Sequence, residues 1–116
     1  MMSAKEADPV PRYSQGQIGA NFKIQLFDVD SQYNPIVADL TNADVNTAKI
    51  VFVKPDGVVL EIPATVDGPA TKGTLEMTTD ADNDILDQRG IWQYTAQVIV
   101  NGKTIKGVTR HVFYVI

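Results

Sequence analysis

The chain has 116 residues, no cysteine and a net charge of −4. That length fits one domain able to hide roughly two thirds of its unfolded surface, so a single core forms without disulfides, and thiolate metal sites are excluded. There is no basic stripe for phosphates, no apolar run near the ~20 residues that span a bilayer and no apolar signal segment, which predicts a soluble chain binding neither nucleic acid nor membrane.

Residues 1–16 are polar, show no periodicity and contain Pro9 and Pro11, which favour extended backbone. They read as an N-terminal arm ahead of a domain over 17–116. From Ile18 to Leu26 apolar residues alternate with polar ones, the mark of a strand with one packed and one wet face. A polar stretch rich in turn formers, Asp28 to Pro35, ends it, followed by the short apolar piece Ile36–Leu40 and a loop at residues 41–44. The next strand, Ala48 to Val53, sets Ile50 and Phe52 on one face and Val51 and Val53 on the other. It turns at Lys54-Pro55-Asp56-Gly57 into a partner from Val58 to Ala64, in which Pro63 belongs at an edge or bulge. Gly73 to Thr78 alternates again, with Leu75 and Met77 inward.

Thr79 to Gly90 is the one helical candidate. Thr79 or Asp80 serves as its cap, carboxylates fill its first turn and Gly90 lies just past its end, which predicts a single turn crossing between sheets. Trp92, Tyr94, Ala96, Val98 and Val100 alternate with Gln93, Thr95, Gln97 and Ile99, with Trp92 inward, and Asn101-Gly102 is the preferred dipeptide of a tight hairpin turn. The return strand then runs from Lys103 to Ile116. About seven short strands, turn signals at roughly ten-residue intervals and almost no helix predict an all-β, immunoglobulin-like antiparallel sandwich with one short helical turn. Spacing alone leaves the strand order open.

Candidate chemistry is thin. His111 is the single histidine, with no second histidine or cysteine to share a metal and no oriented partner to make it a base. It reads as a strand residue paired to a neighbour or to solvent. Ser14 and Ser31 lie in polar segments without a nucleophile motif. Asp28, Asp30, Gln32 and Asn34, and again Asp80, Asp82 and Asp84, alternate as calcium ligands do. Neither run has the glycine at the sixth position or the glutamate at the twelfth that an EF-hand needs: Tyr33 and Asp39 stand there in the first, Ile85 and Ile91 in the second. They read as a solvated turn and a helix start. Gly16 and Gly19 precede a strand and form no phosphate cradle. The expectation is therefore a non-enzyme with no catalytic, cofactor-binding or metal residues.

The runs Ile18-Gly19-Ala20-Asn21-Phe22-Lys23-Ile24-Gln25-Leu26, Val37-Ala38-Asp39-Leu40-Thr41 and Ile50-Val51-Phe52-Val53-Lys54-Pro55-Asp56-Gly57 carry a family likeness. With Gly90-Ile91-Trp92-Gln93-Tyr94-Thr95-Ala96-Gln97-Val98 and His111-Val112-Phe113-Tyr114-Val115, they resemble the Ig-like N-terminal domain of phage baseplate upper proteins over Ile18 to Ile116. The resemblance implies a non-enzymatic virion protein of a tailed bacteriophage, made in the host cytoplasm and present in multiple copies. In that family the domain leads into a stalk or receptor-binding module, whereas this sequence stops at the last strand. The expectation is thus an adaptor or decoration subunit of tail, baseplate or neck. It would hold other virion structural proteins through the 1–16 arm and an exposed sheet edge. The alternative is a ligand-binding module reading carbohydrate or host surface, with Tyr13, Phe27 and Tyr33 gathered on one exposed patch.

Overall fold

The computed structural model describes residues 10–82, 85–107 and 110–116. Residues 1–9 of the expected arm, Asp84 of the second acidic run and Thr109 of the last strand lie outside that description.

The strands are β1 (Arg12–Tyr13), β2 (Asn21–Gln25), β3 (Phe27–Val29), β4 (Pro35–Val37), β5 (Ala43–Val53) and β6 (Val59–Pro63). They continue with β7 (Thr65–Val66), β8 (Thr74–Thr78), β9 (Gly90–Val100), β10 (Lys103–Lys106) and β11 (His111–Val115). A large sheet runs β1-β11-β9-β5-β6, with β10 continuing alongside β9, and faces a small sheet ordered β2-β8-β7. β2, β8 and β7 occupy the B, E and D positions of an immunoglobulin-like sandwich, and β5, β9 and β10–β11 occupy C, F and G. The expected sandwich is present, with its strand order now defined. β3 and β4 form a separate two-stranded ribbon inserted between B and C.

Alternation decides which side of each strand is buried. Phe22 and Ile24 of β2, Ile50 and Phe52 of β5, Leu75 and Met77 of β8, and Trp92, Ala96 and Val98 of β9 all point inward, as their parity predicts. Phe22, from the small sheet, is the hub. Its ring centroid lies 5.1 Å from Phe52, 5.2 Å from Tyr94 and 5.0 Å from Phe113, all on the large sheet. Offset and edge-on aromatic pairs of this kind lock the two layers in one register. Trp92 stacks on Phe113 at 5.7 Å and its indole N–H donates to the Gln88 carbonyl at 2.8 Å, so the largest buried side chain keeps no unsatisfied donor.

Both expected hairpins form. Val53 pairs Val59 across Lys54-Pro55-Asp56-Gly57, with Gly57 at φ 90°, and Val100 pairs Lys103 across Asn101-Gly102, both at positive φ. Pro63 sits on β6, the edge strand of the large sheet.

Three expectations are corrected. Thr79 to Gly90 contains no helix among its described residues, and the helical turn is a 3₁₀ turn at Ala70–Lys72 instead. Thr79 is buried, so its hydroxyl cannot serve as a cap: it accepts from the Ala20 N–H at 3.0 Å and donates to the Gln17 carbonyl at 2.9 Å. Asp80 accepts from the Asp82 N–H, a local turn and not a helix start, and Leu86 is driven into the core. Gly90 begins β9 at φ 128° beneath the Pro55 ring, which a β-carbon would meet at 2.9 Å.

Second, the return from Lys103 to Ile116 is two strands. β10 pairs the far half of β9 and β11 the near half. Third, the arm assigned to residues 1–16 includes a sandwich strand. β1 runs parallel to β11, and Tyr13 packs its ring 5.2 Å from Phe22 and 5.4 Å from Phe113.

Candidate functional site

His111 is exposed at the start of β11 and lies over its cross-strand neighbour Tyr94, ring centroids 5.2 Å apart. A stacked imidazole of this kind is packing, and among the described residues no group of three or more His, Asp or Glu is arranged to hold a metal. The first acidic run is consumed by its own turn. Asp30 accepts the N–H groups of Gln32 at 2.8 Å and Asn34 at 2.9 Å, which holds Tyr33 at φ 64°. These backbone donors keep the Asp30 carboxyl below the usual carboxylate range. Asp28 is likewise held down, chiefly by the Lys103 ammonium 2.6 Å away and then by the Val29 N–H.

Asp39 repeats the pattern with Thr41, whose hydroxyl and N–H both donate to it and lower its pKa. At the Lys54 turn the Asp56 carboxyl is lowered by the Gln88 amide and the Val58 N–H. Gln88 returns the contact by accepting the Asp56 N–H at 3.0 Å. Lys54 itself reaches under the loop, 5.8 Å from the Trp92 ring and 2.8 Å from Asp87. These carboxylates act as turn and loop fasteners.

The proposed ring platform is not assembled. Tyr13 is packed against the core, where burial raises its pKa, while Phe27 and Tyr33 stand on the ribbon. What the ribbon does present is an apolar face. Phe27 pairs Val37 and Val29 pairs Pro35, so these four side chains share one side, all exposed, with Tyr33 at the tip. The opposite side, Asp28 and Ile36, leans on the end of the β9–β10 hairpin across a depression of about 360 Å³ lined also by Val37, Val100 and Ile105.

The ribbon is rooted by close backbone contacts. Leu26 N–H donates to the Gly73 carbonyl at 2.7 Å and Ala38 N–H to the Leu26 carbonyl at 3.0 Å. A β-carbon on Gly73 would meet the Ala38 carbonyl oxygen at 2.6 Å, so glycine is needed there.

Two further surfaces stand out. β2 pairs only with β8 among the described strands. Hydrogen bonds from Thr79 N–H to the Ala20 carbonyl and from Leu26 N–H to the Gly73 carbonyl set the alternation. The main-chain groups of Phe22 and Ile24 therefore serve β8, and those of Asn21, Lys23 and Gln25 face the open edge. On the outer side of the large sheet, Val112, Gln93, Val53 and Val59 stand directly opposite one another across four strands. That row was partly readable in Val51 and Val53 alternating with core residues. The apolar side of the ribbon was not, because Asp28 to Pro35 looks like a plain turn until Phe27 and Val37 are paired.

In comparisons with known proteins, no family model and no curated protein matches this chain.

Proposed function

We propose that the chain is a non-enzymatic structural protein of a tailed-phage particle, an adaptor or decoration subunit of tail, baseplate or neck. The observation that carries this reading is the ribbon with its exposed Phe27, Val29 and Pro35, beside which Val37 borders the depression under the ribbon. An exposed apolar surface on a rigid sandwich is attachment chemistry, whereas catalysis needs converging acid, base or nucleophile groups. The open β2 edge adds a second means of attachment by strand addition. The sandwich itself and the resemblance to baseplate upper proteins are consistent with such a role. Assembly in the host cytoplasm and multiple copies per virion belong to the same proposal.

Mass spectrometry of purified particles from cells expressing the sequence tests it. The expected result is the chain in fixed ratio to the other particle proteins, with incorporation lost on Lys23→Pro at the β2 edge or on Val29→Lys in the ribbon. A folded chain found only in the soluble lysate would overturn the proposal.

A further inference from the structure

Two exposed apolar surfaces of this molecule carry opposite charge and cannot meet within one copy. The first is the outer side of the large sheet. Its central row, Val112, Gln93, Val53 and Val59, is flanked by Ile91 and Val51, over a shallow depression of about 240 Å³. The polar rim of that side is basic. Arg12 lies over the Tyr114 ring, Arg110 donates to the Gln93 amide oxygen at 3.1 Å, and Lys49 and Lys106 flank Gln97. Against these stand Glu61, already bound to Lys49 at 2.6 Å, and Asp44, opposite Ile99. On a chain of net charge −4, this is a concentration of cations.

The second surface is the apolar side of the ribbon. Residues 26–40, which contain it, hold Asp28, Asp30 and Asp39 and no lysine or arginine, with Asp28 bound by Lys103 at 2.6 Å. The ribbon's other side rests over Val100 and Ile105, which face the interior of the sandwich, so its apolar side cannot fold onto the outer side of its own large sheet.

We propose that the ribbon of one copy docks on the outer side of the large sheet of a second copy. The contact joins apolar to apolar and acidic to basic, the complementarity that steers and orients protein association. Because the two surfaces are different patches, the contact is head-to-tail. Each copy bound still offers a free ribbon and a free sheet, so association continues into a ring or an open filament rather than stopping at a dimer. This inference stands apart from the particle reading, since it concerns the purified chain alone.

Sedimentation velocity of the purified protein tests it. The mean mass should rise from the 12.7 kDa monomer through successive multiples as concentration increases, and fall back at high salt. Val29→Lys sets a cation on the ribbon against a basic sheet, and Val59→Asp sets a carboxylate on the sheet against an acidic ribbon. Both positions are more than half exposed, at 51% and 56%. Each variant alone should stay monomeric at every concentration. Mixed in equal amounts, they should form one species of twice the monomer mass and nothing larger, because one sound ribbon meets one sound sheet. Circular dichroism melts establish that each variant is folded. Tyr33→Lys, at 85% exposed, and Val112→Asp repeat the pair should either fail.

A wild-type chain that remains monomeric up to millimolar concentration overturns the proposal. So does a variant pair in which only one member loses association, which would mean sheet on sheet or ribbon on ribbon, and so does a mixture that forms no dimer.

Discussion

Thr79 shows how one hydroxyl can hold two segments together. It is the one buried polar residue among those described, accepting from Ala20 and donating to Gln17, so it ties the approach to β2 to the end of β8. Thr79→Val keeps the shape but strands a buried N–H and a carbonyl, and should cost about 1–3 kcal/mol in urea denaturation. Thr79→Ser, which keeps both bonds and loses a methyl group, should cost roughly 1 kcal/mol. Glycines divide in the same way by surroundings. Gly73 and Gly57 both adopt positive φ, but a β-carbon at Gly73 meets main-chain oxygen while at Gly57 it meets open space. Gly57→Ala should therefore cost only the left-handed penalty of about 1–2 kcal/mol, and Gly73→Ala distinctly more, with shifted amide resonances at Leu26 and Ala38.

At the scale of elements, the ribbon is held lightly. Beyond its root, and among the described residues, the side-chain hydrogen bond joining it to the sandwich is Lys103 on Asp28. An exposed ion pair is worth under ~1 kcal/mol, so Lys103→Met should barely move the melting temperature while hydrogen exchange at the ribbon amides accelerates. The pH dependence has a definite sign. Asp28 has a folded pKa below its unfolded value, so its contribution is fully present above the unfolded carboxylate pKa of about 3.9. It is lost as pH falls through the lowered folded value, and ribbon exchange should rise only in that acid window.

How much of these elements the sequence disclosed depended on whether a signal was local. Period-two alternation in β2, β5, β8 and β9, and the Pro-Asp-Gly and Asn-Gly turns, are written within a few residues and were legible. Three features needed partners distant in sequence. The capping pattern at Thr79 was outweighed by burial of its hydroxyl against Ala20 and Gln17 and by Leu86 entering the core. The two-residue β1 has no periodicity of its own and exists because β11 offers it an edge. The ribbon's apolar side emerges only when Phe27 and Val29 are paired with Val37 and Pro35. For the candidate site, the exposed apolar rows were legible only in part, through Val51 and Val53 alternating with core residues, because a row is made of residues paired across strands.

For the whole molecule, stability rests on the aromatic contacts that bridge the layers. Phe22, at their centre, should cost about 3–5 kcal/mol when replaced by alanine, the largest single loss in the domain. Tyr13 extends that cluster from the first described strand. A chain beginning at Gln17 should thus unfold at lower urea than one beginning at Val10, a comparison in which only β1 and its flanks differ.

The pairing of β1 with β11 also fixes how the domain meets mechanical load. The two strands are parallel, one near the entry to the sandwich and the other at its exit, joined by Tyr114 N–H to the Pro11 carbonyl, Ile116 N–H to the Tyr13 carbonyl and Gln15 N–H to the Ile116 carbonyl. Tension applied through the segments flanking Val10 and Ile116 would draw these strands along each other. Those hydrogen bonds would then be loaded together in shear and not opened one after another. The seam joining the first described strand to the last is accordingly the domain's clamp against being pulled apart.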